Sequence, residues 1–91
     1  MEAVREHLER GRYLDSRHAH LRQSERNISR PELLYVLRTG FHEKKRDRFD
    51  EVYQAWNYAV RGKTVDKRDL RVIVTFDESG MLIITAIEIE R

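Results

Sequence analysis

Three residues in the N-terminal third have side chains and a spacing that could act on an anion: His18, Arg22 and Arg26. On a helix they fall at i, i+4 and i+8 and share one face. Two arginines one turn apart repel each other, so such a stripe is favoured when an anion or an acidic partner meets it. Neighbouring positive charge and the positive helix end near Ser16 would both lower the pKa of His18. A neutral imidazole can accept a proton, as a general base must. The competing reading is a solvated charge row with Glu25 softening the repulsion, and residue types alone do not choose between the two.

The elements that must position this stripe are two consecutive helices within residues 16–40. Ser16 suits the N-cap of the first, and Asn27, Ile28 and Ser29 would end it. The second opens on Ser29 and Glu32, the capping-box spacing, with Pro31 in the first turn where a missing N–H costs nothing. Gly40 supplies its stop. Leu33, Val36 and Leu37 make its core face, with Leu34 beside them and Tyr35 and Arg38 outward. Ahead of this pair, residues 2–10 read as a short, charged helix. Val4 and Leu8 lie one turn apart, Gly11 is its end, and its docking is expected to be loose. Tyr13 and Leu14 form an apolar link.

After Gly40 the pattern turns to strands. Phe41 to Lys45 suits an edge strand, guarded by the run Lys44-Lys45-Arg46-Asp47-Arg48, which reads equally as a phosphate-binding patch or a solvated loop. Residues 52–60 are aromatic and β-branched, with Trp56 and Tyr58 on one face and Tyr53, Ala55, Asn57 and Ala59 on the other. Such rings belong to a core more often than to a base-stacking platform, although stacking needs only an exposed ring. A polar hairpin loop is expected over 61–69. Strands 70–76 and 81–89 should be joined through a type I turn with a G1 bulge at Gly80. That turn pairs Thr75 with Ile83 and Ile73 with Thr85. It gathers Leu70, Val72, Val74, Phe76, Leu82, Ile84 and Ala86 on an apolar face. Arg71, Ile73, Thr75, Met81, Ile83, Thr85 and Ile87 fall on the opposite, mixed face. The expected fold is α+β. Two or three N-terminal helices cover one face of an antiparallel three- to four-stranded meander, in a single domain over 1–91 (helices to residue 40, sheet 41–89).

Composition narrows the function classes. At 91 residues the chain buries only roughly 60% of its unfolded surface. It has no cysteine, which excludes disulfides and thiolate metal sites and favours a reducing, cytoplasmic setting. The first residues are charged, so no secretory signal is expected, and no apolar run reaches the length of a membrane span. Residues 1–48 carry 12 Lys and Arg against 8 Asp and Glu, while residues 49–91 carry 6 against 8. The basic first half, which also holds all four histidines, points weakly to an anionic partner such as nucleic acid. Phosphate loops, nucleophile elbows and metalloprotease helices are absent. His18 and His20, two apart, cannot chelate one ion from a helix, so neither a metal nor a cofactor is expected.

The pattern His18-Ala19-x-x-Arg22-x-x-x-Arg26-x-Ile28-Ser29 resembles a family of small bacterial domains of unknown function. The resemblance continues through Trp56 to Thr64, Asp69 to Val74 and Met81 to Thr85, covering roughly residues 13–88. That family is similar in fold to the barnase, EndoU, colicin and RelE group of metal-independent ribonucleases, some of them in toxin settings. The resemblance implies helices first and then an antiparallel meander. It also implies phosphodiester transfer, in which a ribose 2′-hydroxyl attacks the neighbouring phosphorus. His18 would serve as acid or base, and Arg22, Arg26 and Arg71 as phosphate clamps. Thr85 would be a hydroxyl donor, and Trp56 or Tyr58 a stacking surface. Expected partners are therefore RNA or an acidic, antitoxin-like protein. The alternative is a non-catalytic interaction domain that holds an acidic partner or forms a homodimer through Met81, Ile83 and Ile87.

Overall fold

A computed structural model describes residues 2–15 and 28–89. The elements in chain order are α1 (Glu2–Glu9), β1 (Tyr13–Asp15), α2 (Arg30–Thr39), β2 (Phe41–His42), β3 (Arg48–Asp50), β4 (Ala55–Lys63), β5 (Asp69–Asp77) and β6 (Gly80–Glu88), with a 3₁₀ turn at Lys44–Arg46 between β2 and β3. The expected first helix of the pair, with His18, Arg22 and Arg26, lies outside the described residues.

Strands β4, β5 and β6 form the expected antiparallel meander. The sheet is nevertheless larger and mixed, with six strands in place of three or four. Its order is β1-β6-β5-β4-β2, and β3 also pairs with β4. The link at Tyr13 and Leu14 is a strand, parallel to β6 and in register with Met81, Leu82 and Ile83. A three-residue strand is too short for its pattern to announce it. The edge expected over 41–45 is divided. β2 pairs for two residues, the chain lifts away in the 3₁₀ turn, and β3 returns opposite Ala55 to Asn57. Opposite the lift, Ala59 keeps both backbone groups satisfied. Its N–H donates to Asp47 Oδ1 and its carbonyl accepts from the Glu43 N–H. Strand β4 starts later than expected, at Ala55, and runs through to Lys63, so the hairpin loop shrinks to residues 64–68.

The turn between β5 and β6 also departs from expectation, with consequences for both faces. Glu78 and Ser79 form a two-residue loop closed by the pair Asp77–Gly80. Asp77 Oδ1 accepts from the Ser79 N–H, the Ser79 hydroxyl and the Gly80 N–H. Gly80 has φ +134°, and a Cβ there would overlap the carbonyl oxygen of Arg12, which accepts from the Met81 N–H. The irregularity sits deeper than Gly80. Val74 pairs with Ile83 and Ile73 with Thr85, leaving Ile84 as the extra residue. Thr75 therefore faces Leu82, not Ile83. Below Ile84 the faces of β6 are exchanged. Met81 and Ile83 join Leu70, Val72, Val74 and Ala86 in the core, whereas Leu82 and Ile84 are only half-buried. Met81 and Ile83 are thus unavailable for the homodimer surface expected of them.

Helices α1 and α2 cover part of the core face. Val4, Leu33, Val36 and Leu37 are all fully buried, and Leu8 packs against the same cluster. The capping box of α2 is complete, with Ser29 Oγ accepting from the Glu32 N–H and Glu32 accepting from the Ser29 N–H. Gly40 ends the helix, as expected. Its backbone is extended, at φ −79° and ψ −175°, and it lies against β4. A Cβ on Gly62 would stand 3.0 Å from Gly40 Cα and 3.3 Å from Val36 Cγ1. Two facing glycines let the helix end sit on the sheet backbone itself.

The contact predicts that Gly62→Ala loses about 1–3 kcal/mol by overpacking, read as a lower urea midpoint with an unchanged slope. Ser29→Ala should cost about 1 kcal/mol.

Candidate functional site

Because α2 is held at the Gly62 end of β4, the other end of the core face is left to aromatic side chains. Trp56 and Tyr58 alternate with Ala55, Asn57 and Ala59, so both rings lie on the helix side of the strand, as their spacing predicts. Phe49 stands opposite Trp56 in register and meets it edge-on, with centroids 5.6 Å apart. Tyr58 contacts His42 on one side and Phe76 on the other, each at 5.8 Å, and Phe76 reaches His7 of α1 at 5.0 Å. The result is a row of rings on one face in two contacting groups, Phe49–Trp56 and His42–Tyr58–Phe76–His7. Trp56 and Phe49 are the open end, 49% and 43% exposed.

Cations border the row at both ends. On the β3 side Lys44, Lys45, Arg46 and Arg48 are exposed. None of the four takes part in an ion pair among the described residues. Arg48 donates only to the backbone carbonyls of Lys45 and Asp47. On the α1 side Arg10 and Arg12 are exposed beside His7, and Arg12 reaches the Glu78 carbonyl. The basic turn is anchored from beneath. Asp47 accepts the Ala59 N–H through one oxygen and the His42 Nε2–H through the other, at 2.7 Å. A carboxylate only accepts, which fixes the proton on Nε2. This His42–Asp47 pair was missed in the sequence because its five-residue spacing matches no motif. Its one signal was a single acid inside a basic run.

The expected site residues fall elsewhere. Arg71 and Thr85 lie on the opposite face of the sheet, away from the helices. The strand register therefore separates them from Trp56 and Tyr58 by the thickness of the sheet. Arg71 is beside Arg61 across β5 and β4. It gives its Nε–H to Glu43 Oε1 at 2.6 Å and an Nη2–H to Oε2 at 3.2 Å. Arg61 gives Nη1–H to Glu43 and is held by both oxygens of Asp69 through Nε and Nη2. Two guanidinium groups thus share two carboxylates, and this corner of the face is charge-balanced. Thr85 is half-buried opposite Ile73, one diagonal position from Arg71. His18, Arg22 and Arg26 lie outside the described residues. Among the described residues, no group of three His, Asp or Glu side chains could hold a metal ion, and no helix is long and apolar enough to cross a membrane.

The hydrogen bond from Arg71 does most to hold the Glu43 carboxyl below the usual carboxylate range, with Arg61 adding to it and burial opposing. A depressed folded-state pKa stabilises the fold above the unfolded value, and that contribution is lost as pH falls through the folded value. The stability gap between the native chain and Glu43→Gln should therefore be full at pH 6–7. It should close below about pH 4, the ordinary glutamate range. Urea midpoints of both proteins from pH 2.5 to 7 measure it, and a gap that does not change with pH would contradict the assignment.

No curated protein and no solved structure matches the chain. The family described as a domain of unknown function, DUF4258, matches residues 16–88, a span that takes in the helix signature, α2 and the strands β2 to β6. The chain belongs to that family.

Proposed function

We propose that this domain binds single-stranded RNA along the ring row of the core face. The observation that carries the reading is the coincidence of two things at one place. An exposed, edge-on Trp56–Phe49 pair shares one face of β4 with Tyr58, and a turn of four cations beside it has no acidic partner among the described residues. Bases stack on aromatic faces for roughly 1–3 kcal/mol each, whatever their identity, while lysines and arginines follow the phosphates. Sheets that present rings in this manner are a recurrent way of holding splayed single strands. The charge balance of Arg61 and Arg71 argues against the opposite face as the phosphate track, since a phosphate there would compete with Glu43.

Cleavage is the finer part of the reading. Within it, His18 takes the proton of a 2′-hydroxyl, and Arg22 and Arg26 steady the charge on the phosphoryl oxygens as the 2′-oxygen displaces the 5′-oxygen. A preorganised donor of this kind is worth roughly 3–4 kcal/mol. Its support is the signature and the resemblance to metal-independent ribonucleases.

A labelled RNA of mixed sequence, followed by anisotropy, tests both parts. Binding should weaken with salt, as expected when several phosphates are neutralised. Trp56→Ala should lose roughly 1–3 kcal/mol of binding, and Lys44→Glu with Lys45→Glu should flatten the salt dependence. Equal affinity in all three proteins would overturn the reading. In EDTA, cleavage to 2′,3′-cyclic phosphate by the wild type and not by His18→Ala would establish the nuclease. Binding without cleavage would leave a holding domain.

A further inference from the structure

The face opposite the helices holds a groove of about 550 Å³ near the β5–β6 turn. Its floor is Ala55 of β4 and Leu82 and Ile84 of β6, with the Thr75 hydroxyl of the intervening β5 already spent on the Trp56 carbonyl. The β3–β4 loop forms one wall. That loop is internally tied, because Asp50 Oδ1 accepts the N–H groups of both Val52 and Tyr53. It nevertheless presents Val52 and Tyr53 at 84% and 80% exposure. Tyr53, which lines the groove beside its apolar floor, and the equally exposed Val52 next to it give the loop an apolar surface of the kind that takes a partner.

The charge at the rim selects that partner. Asp50 and Asp77 line the groove, and among the described residues no lysine or arginine does. Each carboxylate spends Oδ1 on the N–H groups of its own turn, and those bonds leave Oδ2 aside. The Ser79 hydroxyl holds Asp77 below the usual carboxylate range, which keeps it charged. An acidic rim around an apolar floor repels phosphate and attracts a cation with an apolar body.

We propose that this groove docks a basic, apolar peptide segment of a protein partner in extended form. Leucine-sized side chains would sit on Ala55, Leu82 and Ile84, and lysine or arginine heads would meet Asp50 and Asp77. Tyr53 offers its ring to the same cations. The sign is opposite to the acidic partner expected from the basic half of the sequence. Phe76 of the ring row also lines the groove, but the floor residues Ala55, Leu82 and Ile84 lie on the face opposite Trp56 and Tyr58, so this inference does not rest on RNA binding.

The test is an amide chemical-shift titration of the full chain with two blocked pentapeptides, one alternating leucine and arginine, the other leucine and glutamate. The basic peptide should give saturable shifts at Asn57, Thr75 and Leu82, and the acidic peptide none. Asp50→Asn with Asp77→Asn keeps the acceptor oxygens of both turns and should weaken binding roughly tenfold, about 1.4 kcal/mol. Tyr53→Ala, at an exposed position, should weaken it without altering the unfolding midpoint. Equal shifts from both peptides, shifts that survive the double substitution, or no saturable shift would each overturn the proposal.

Discussion

The seating of α2 on β4 through Gly40 and Gly62 decides what the rest of the sheet can do. Without side chains at either position, the helix end rests on the strand backbone, and Leu33, Val36 and Leu37 reach the core from there. Among the described residues, the helix fixed at that end of β4 leaves Trp56 at the other end exposed, with Tyr58 half-buried between them. The aromatic row is therefore a consequence of helix placement. Trp56 and Phe49 are exposed at its end, Tyr58 and Phe76 are half-buried against the core, and the short β2 and β3 strands satisfy the edge of β4 without shielding the Trp56–Phe49 pair.

The two faces of the sheet are divided by charge as well as by cover. On the helix side the cations of the 3₁₀ turn have no acidic partner among the described residues, while Asp47 is spent on His42 and Ala59. On the opposite side each guanidinium of Arg61 and Arg71 meets a carboxylate, and the groove beyond them is rimmed by aspartates. A third network, Arg68 between Glu32 and Glu88, ties α2 to the ends of β5 and β6. Partly buried pairs of this kind fix geometry more than they add stability. Their arrangement leaves free positive charge beside the rings, which is why a polyanion fits one face and a basic segment the other.

Much of this was legible in the sequence wherever a local rule acts alone. The capping box at Ser29 and Glu32, the buried face of α2, the side of β4 that carries Trp56 and Tyr58, and the α+β class all follow from spacing. Failures arose where two distant segments had to meet. β1 is too short to show a period, and its pairing with β6 depends on Gly80 lying under Arg12. The extra residue at Ile84, unmarked by glycine or proline, exchanged the faces of Met81, Leu82 and Ile83. The pairing of Arg71, expected as a phosphate clamp, with Glu43 was not legible because the two are 28 residues apart. Sequence also paired Arg71 with a stacking surface that the strand register puts on the other side of the sheet.

Trp56 is the only tryptophan in the chain, so its fluorescence reports on the ring row directly. Titration with a short single-stranded RNA should quench it saturably, with the quench reversed by salt as phosphate contacts are released. RNA that binds, by anisotropy, while leaving Trp56 fluorescence unchanged would place the RNA elsewhere and contradict the account.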